Sequence, residues 1–303
     1  MQQKNVLVIG STCVDVIIRV DHLPRTEENL HPQSQRFAIG GCAYNVANIL
    51  GRAKAPLTFV TPVGGRGVFG GFVQKQLDAL GFTSPVYLPE GENGCCYCFV
   101  EKSGERTFLS IHGVEYTFDP AWMAPYDQCH YDYGYVCGLE VEEKTGAALV
   151  GYLEHAPIET ILYAPGPRGM RVAPELTERL FALHPMLHLN AGEACSLGGC
   201  DNLDDALRAL YARTGNTVIA TTGADGVRCL ENGRLYTVAG VRAEHVVDTI
   251  GAGDAHAGAT LLGLSRGMAL CDALLLANNV CARVVQTSGA TLSDADFSAL
   301  HLI

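Results

Sequence analysis

The stretch Asp248-Thr249-Ile250-Gly251-Ala252-Gly253-Asp254-Ala255-His256-Ala257-Gly258 stands directly before an alanine-rich amphipathic run. Small residues at 251 to 253 mark a loop that turns into a helix and lets the backbone come close to a ligand, while the first helical turn offers amides without partners in the helix. Such a helix mouth attracts an anion and makes a phosphate cradle. Asp254 inside the cradle would repel phosphate, so it suits another task, taking the proton of an attacking hydroxyl. An acidic residue in a first turn also favours the helix macrodipole in any protein, so the wider chain has to decide between the two readings.

Outward from this loop, short β-branched runs alternate with longer helical patterns. The runs are VLVIG (6–10), LTFVTPV (57–63), YGYVCGL (133–139), ETILYAP (159–165), MLHLN (186–190) and TVIATTG (217–223). Helices are expected over 43–50, 69–80, 144–155, 174–183, 203–214, 253–264 and 271–287, several of them stopping at glycine, as at Gly51, Gly81 and Gly215. Near-continuous apolar strands separated by helices predict an α/β fold, a mostly parallel central sheet covered on both faces. Residues 13–39 and 95–111 break the rhythm with polar and apolar alternation. CYCFVEKSGERTFLSI reads as a hairpin turning at Ser103-Gly104. Together they predict a small β-sheet lid over one large domain spanning 1–303.

Of the 303 residues, 48% are hydrophobic and 17% charged, enough to bury a large core. A net charge of -11 argues against nucleic acid, whose backbone is bound by clustered Lys and Arg. MQQKNVLVIG reads as a strand after a polar leader rather than a signal peptide, and no run reaches the roughly 20 apolar residues of a bilayer span. A cytoplasmic protein that avoids membranes is expected. Twelve cysteines, including Cys95, Cys96, Cys98, Cys195 and Cys200, lack the paired clusters of a zinc site and read as free thiols. His112, His184 and His188 show no metal-type spacing, and His256 reads as a packed residue.

DTIGAGDAHAG is similar to the C-terminal signature of the ribokinase (PfkB) family of sugar kinases. Gly40-Gly41-Cys42-Ala43-Tyr44-Asn45-Val46-Ala47-Asn48 resembles the family's other signature, a glycine pair followed by asparagine on a helix. Further matches run from Gly10 to Ala290, so the resemblance covers nearly the whole chain and implies a three-layer ribokinase-like domain. It implies ATP-dependent transfer of a phosphoryl group to a hydroxyl of a sugar or of a nucleoside such as pseudouridine, with ATP as co-substrate. Asp254 would be the base, with Gly251, Ala252 and Gly253 as the cradle.

Asp15, Gly40, Gly41 and Asn45 would carry the acceptor, since carboxylate and amide groups hydrogen-bond neighbouring hydroxyls in two directions. Arg106 and Glu140 are further candidates for substrate contact, each with a plain surface role as its alternative. Asn190, Glu193, Thr221, Gly223, Gly226 and Asn278 would surround the nucleotide. Glu193 would hold Mg2+ through water, as a hard, well-hydrated cation prefers, or simply cap its helix. The resemblance also implies a monovalent cation, K+, near Asp248, Ile250 and Ser288. Exposed strand edges seek partners, so a homodimer through the lid is expected. Cys42 and Tyr44 depart from the small or basic residues common after the glycine pair.

Two rival readings stand beside this one. Gly65-Arg66-Gly67-Val68-Phe69-Gly70 is a G-x-G-x-x-G with Glu90 downstream, as in NAD-dependent oxidoreductases. It follows a later strand than the first, where that fingerprint belongs. The second rival is a sugar-binding regulator on the same fold without turnover.

Overall fold

All four side chains of the first strand, Val6–Ile9, are buried, and they divide between two cores: Val6 and Val8 join one, Leu7 and Ile9 the other. A strand that is apolar on both faces needs a layer on each side, which decides the architecture. The computed structural model describes residues 3–82, 86–126, 128–287 and 289–302.

In chain order the elements are β1 (Val6–Ile9), β2 (Cys13–Val20), β3 (Ser34–Gly40), α1 (Cys42–Arg52), β4 (Leu57–Val60), β5 (Pro62–Arg66), α2 (Gly67–Ala79), β6 (Val86–Glu92), β7 (Cys95–Glu101) and β8 (Arg106–Ile111). There follow β9 (Tyr131–Cys137), α3 (Gly138–Glu142), α4 (Gly146–Leu153), β10 (Ile158–Ala164), α5 (Pro174–Phe181), β11 (Met186–Asn190), α6 (Ala191–Gly198) and α7 (Leu203–Thr214). The chain closes with β12 (Val218–Thr221), β13 (Gly226–Glu231), β14 (Arg234–Ala239), α8 (Ala252–Ser265), α9 (Leu270–Val284) and α10 (Asp294–Ala299).

The central sheet has the order β14-β13-β12-β11-β10-β9-β1-β4. The six strands from β12 to β4 run parallel, and β13 and β14 add an antiparallel edge. One face carries α1, α2, α8, α9 and α10, the other α4, α5, α6 and α7. A four-stranded sheet, β3-β2-β7-β8, stands apart from it. Its middle pair is parallel, with Val14 opposite Cys95, and hairpins flank it on both sides. Gly104 turns the β7–β8 hairpin at φ 90°, a conformation that glycine adopts cheaply.

Three local expectations shift. The run 57–63 splits at Thr61: β4 stays in the central sheet, while β5 leaves it to pair with β6. The edge hairpin β13–β14 was not anticipated, although Asn232-Gly233, both at positive φ, carry the sequence sign of a tight hairpin turn. Gly51 does not end a helix. It lies inside α1, where the Phe82 ring packs against its backbone and would collide with any Cβ. The helix that Glu193 was expected to cap is the short α6, started by a capping box of Asn190 and Glu193.

Candidate active site

The loops that follow β1, β9, β11 and β12 open at the C-terminal ends of the parallel strands, where ligands bind in such sheets. After β1 the chain must turn sharply between packed groups. Gly10 has φ 145°, and a Cβ there would lie 2.6 Å from Glu140 Oε1. Glu140, in α3, is 5% exposed, and its Oε1 accepts from the Ser11 amide at 2.9 Å. It therefore neither faces solvent nor reaches outward; it holds the β1–β2 turn, and burial raises its carboxyl above the usual range.

Gly41 begins α1 at φ 108° beside the Ser11 carbonyl, and Gly40 leaves room for the Asp15 carboxylate, which a side chain would displace. One helical turn later Asn45 donates from Nδ2 to Oδ2 of Asp254 at 2.8 Å. Asp254 lies in the first turn of α8, whose N-cap is Gly251 at φ 70° with Ala290 packed against it. The Ala252 amide is bonded to the Thr249 carbonyl at 3.3 Å. The open amides of this helix mouth are therefore those of Gly253 and Asp254, which have no acceptor within the helix. Gly253 is exposed, with nothing within 4 Å of where a Cβ would stand.

Electrostatics single out the same carboxylates. Burial pushes Asp254 up from its ordinary value, against hydrogen bonds from Asn45 and Cys42 that lower it. Asp15 is pushed up to about 6 by burial and by the nearby Asp254 charge, with Arg36 opposing. Strand register puts Asp15, Arg36 and Arg106 on one face of the four-stranded sheet, the face that meets Ile250 through Ile17, Ala38, Cys98 and Val100. Arg106 reaches from β8 to Asp248, Nη1 to Oδ1 at 2.7 Å. Oδ1 also accepts from the Ile250 amide at 2.7 Å, and Oδ2 from the Gly289 amide at 3.2 Å. Ser288 lies outside the described residues.

Next to the helix mouth is a cavity of about 620 Å3 lined by Thr221, Gly223, Gly226, Ala252, Gly253 and Asn278, among others. Gly223 and Gly226 have φ 66° and 100°, and Asn278 holds the Ala239 carbonyl at 2.9 Å. His256 lines the same cavity while 2% exposed, its Nδ1 2.8 Å from Nε2 of His188. Both imidazoles are held neutral by burial, His188 down to about 4. Asn190 and Glu193 do not join this cavity. They close a capping box on α6, Glu193 N to Asn190 Oδ1 at 2.8 Å and Asn190 N to Glu193 Oε2 at 2.9 Å. Glu193 instead lines a smaller cavity of about 220 Å3 with Pro165 and Met170.

Sequence reading gave no role to Cys42, Arg36, Asn93 or Glu115. Glu115 is fully buried and accepts from the Gly94 and Gly113 amides at 2.9 and 3.0 Å, pinning the root of β7. No local pattern announces such a residue. Among the described residues no group of three or more His, Cys, Asp or Glu is arranged to hold a metal ion, and no helix is long and apolar enough to cross a membrane.

The model of the pfkB family of carbohydrate kinases matches residues 3–296, almost the entire chain. The chain belongs to this family. An uncharacterised sugar kinase of Escherichia coli K12, YegV, is 31% identical over 291 residues, 95% of this chain and 90% of that one. Arabidopsis thaliana ribokinase, solved with ribose and ATP, superposes with a TM-score of 0.79 at 16% identity, covering 99% of both chains. Burkholderia thailandensis nucleoside kinase, solved with inosine, gives 0.78 at 20% identity over 97% of this chain and 95% of that one. The protein is thus a carbohydrate kinase of this family, a phosphotransferase with an alcohol acceptor. That excludes the oxidoreductase reading, and the geometry says why its motif misleads: Gly65–Gly70 spans the β5–α2 turn, off the central sheet, and Glu90 is an exposed partner of Arg66.

Proposed function

We propose that this family member phosphorylates a hydroxyl of a sugar, or of the sugar moiety of a nucleoside, with Asp254 as base. One observation carries the reading: the Asp254 carboxylate stands at the mouth of α8, tied to Asn45 of the acceptor side and next to the cavity suited to a nucleotide. Asp15, Gly40, Gly41 and Asn45 receive the acceptor, and the small sheet closes on it as a lid over 13–39 and 95–111, which limits transfer to water. Thr221, Gly223, Gly226 and Asn278 line the nucleotide side.

The hydroxyl approaches with its proton directed at Asp254, which accepts it as the oxygen attacks the terminal phosphorus. The amides of Gly253 and Asp254 donate to the equatorial oxygens on which charge collects. Gly251 contributes through its left-handed backbone, and Ala252 through the bond that fixes the loop. Glu140 acts by shaping the β1–β2 turn, and Asn190 by fixing Glu193.

The acidic groups fit a magnesium ion that keeps most of its water: Glu193 has one carboxylate oxygen beyond its capping box. Bound with the phosphates, magnesium neutralises charge on the moving group. The exposed Leu109, Ile111 and Phe37, with the free edges of β3 and β8, suit a homodimer through the lid. Twelve free thiols suit the cytoplasm.

An ADP-release screen with ATP and magnesium over pentoses, hexoses, sugar acids, sugar phosphates and nucleosides including pseudouridine tests the proposal. Saturable turnover with one class identifies the acceptor. Tight binding of a polyol with no ADP release by intact protein would return the chain to the regulator reading.

A further inference from the structure

The resemblance to other kinases of this type implies a monovalent cation beside Asp248, and Asp248 with its described neighbours does not fit one. Asp248 Oδ1 already accepts two N–H bonds, from Arg106 Nη1 and the Ile250 amide, both at 2.7 Å, and Oδ2 accepts the Gly289 amide at 3.2 Å. The Arg106 and Asp248 side chains are 20% and 8% exposed, so water screens the pair weakly. A further cation at this carboxylate would stand against a permanent guanidinium charge. On the side of the small sheet, Ile17, Ala38, Cys98 and Val100 pack on Ile250.

The loop needs a positive charge. Asp248 and Asp254 both act on Asp15, so three carboxylates share the space into which ATP would bring more negative charge. Arg36 and Arg106, both on the lid sheet, face them.

We propose that the Arg106 guanidinium takes the place of a monovalent cation at Asp248, bracing the 249–253 loop whenever the lid is closed, so that this kinase works without potassium. Arg106 is then a positioning residue. It neutralises Asp248, Asp248 orders the Ile250 and Gly289 amides, and these set the loop from which the Gly253 and Asp254 amides meet phosphate. The brace arrives from the lid rather than from solution, so lid closure and cradle order are one event. The inference rests on the helix mouth being the phosphate site.

Affinity for a non-hydrolysable ATP analogue with magnesium, measured by calorimetry without any acceptor, tests it in potassium, sodium and tetramethylammonium chloride at equal ionic strength. The wild type should bind equally in all three. Arg106→Ala should bind about 10- to 100-fold more weakly in tetramethylammonium, as expected for loss of a charge-assisted bond. Potassium should restore most of that loss and should raise the melting temperature of the ligand-free variant but not of the wild type. Arg106→Lys, which keeps the charge, should remain insensitive to potassium.

Potassium stimulation of wild-type binding by severalfold would overturn the inference. So would an Arg106→Ala protein, folded by circular dichroism, whose deficit and melting temperature ignore every cation. Should Arg106→Ala fail to fold, the wild-type and Arg106→Lys arms still decide. Absence of analogue binding in all salts would instead remove the phosphate site, leaving the cation-dependent melting of the variant to judge the brace.

Discussion

Asn45 Nδ2 donates to Asp254 Oδ2 at 2.8 Å across 209 residues of sequence, joining the start of α1 to the start of α8. One amide thereby fixes the carboxylate at the helix mouth and favours its ionised form.

Asp254→Asn keeps the shape and the link to Asn45 but removes the basic oxygen. Turnover with the acceptor found in the screen should fall about 10²- to 10⁴-fold, with the nucleotide dissociation constant changed little. Near-normal turnover by folded protein would take Asp254 out of the chemistry.

Asn45→Ala removes a hydrogen bond that lowers the Asp254 carboxyl, so that carboxyl should rise further. The base must be ionised, hence activity is lost as pH falls, and the acidic limb of the kcat/KM profile should move to higher pH in the variant. A limb unmoved within 0.2 units, on the scale where one unit is about 1.4 kcal/mol, would detach Asn45 from the titration.

Asp15 has an ordinary value of 3.8 and is raised to about 6 in the fold. Folded protein thus holds this proton more tightly than unfolded chain, so stability is fullest below the ordinary value and is lost as pH rises through about 6. Asp15→Asn should therefore stabilise the protein at pH 7.5 by about 1 to 3 kcal/mol, and the gain should vanish near pH 4. Its acceptor KM should rise at least tenfold. A variant less stable than wild type at pH 7.5 would refute the electrostatic account.

Gly251→Ala meets two obstacles, a φ of 70° and the Ala290 methyl where its Cβ would go. A loss of about 1 to 3 kcal/mol in denaturant unfolding should accompany a drop in kcat larger than that from Gly253→Ala, where the space is open. Equal effects at the two glycines would mean that the loop tolerates displacement.

The sequence is legible where one segment contains its own explanation. Gly251, Ala252, Gly253 and Asp254 form their loop and helix mouth locally, and Asn232-Gly233 announced a hairpin that the periodic pattern of apolar residues had hidden. Gly51 misled because a glycine at the end of an apolar run looks like a stop signal, whereas here it admits a ring from α2's far end. Arg106 and Asp248, 142 residues apart, meet only because β8 docks on the 248–250 loop. Pairing of that kind depends on tertiary placement that neither residue's neighbourhood records. The same holds for Glu115 beneath Gly94 and for Glu140 beneath Ser11.

The four-stranded sheet has a parallel seam, Val14 beside Cys95 through Val20 beside Glu101, so its two hairpins come from parts of the chain separated by α1, α2 and the β5–β6 pair. The sheet cannot be completed before the segment between the two hairpins has been made, and such non-local closure is slow to form. The β2–β3 ribbon must therefore wait with one side unpaired during biosynthesis. This is the point at which a newly made chain is most open to swapping strands with a neighbour, and chain concentration during refolding, rather than temperature alone, should govern the yield of active enzyme.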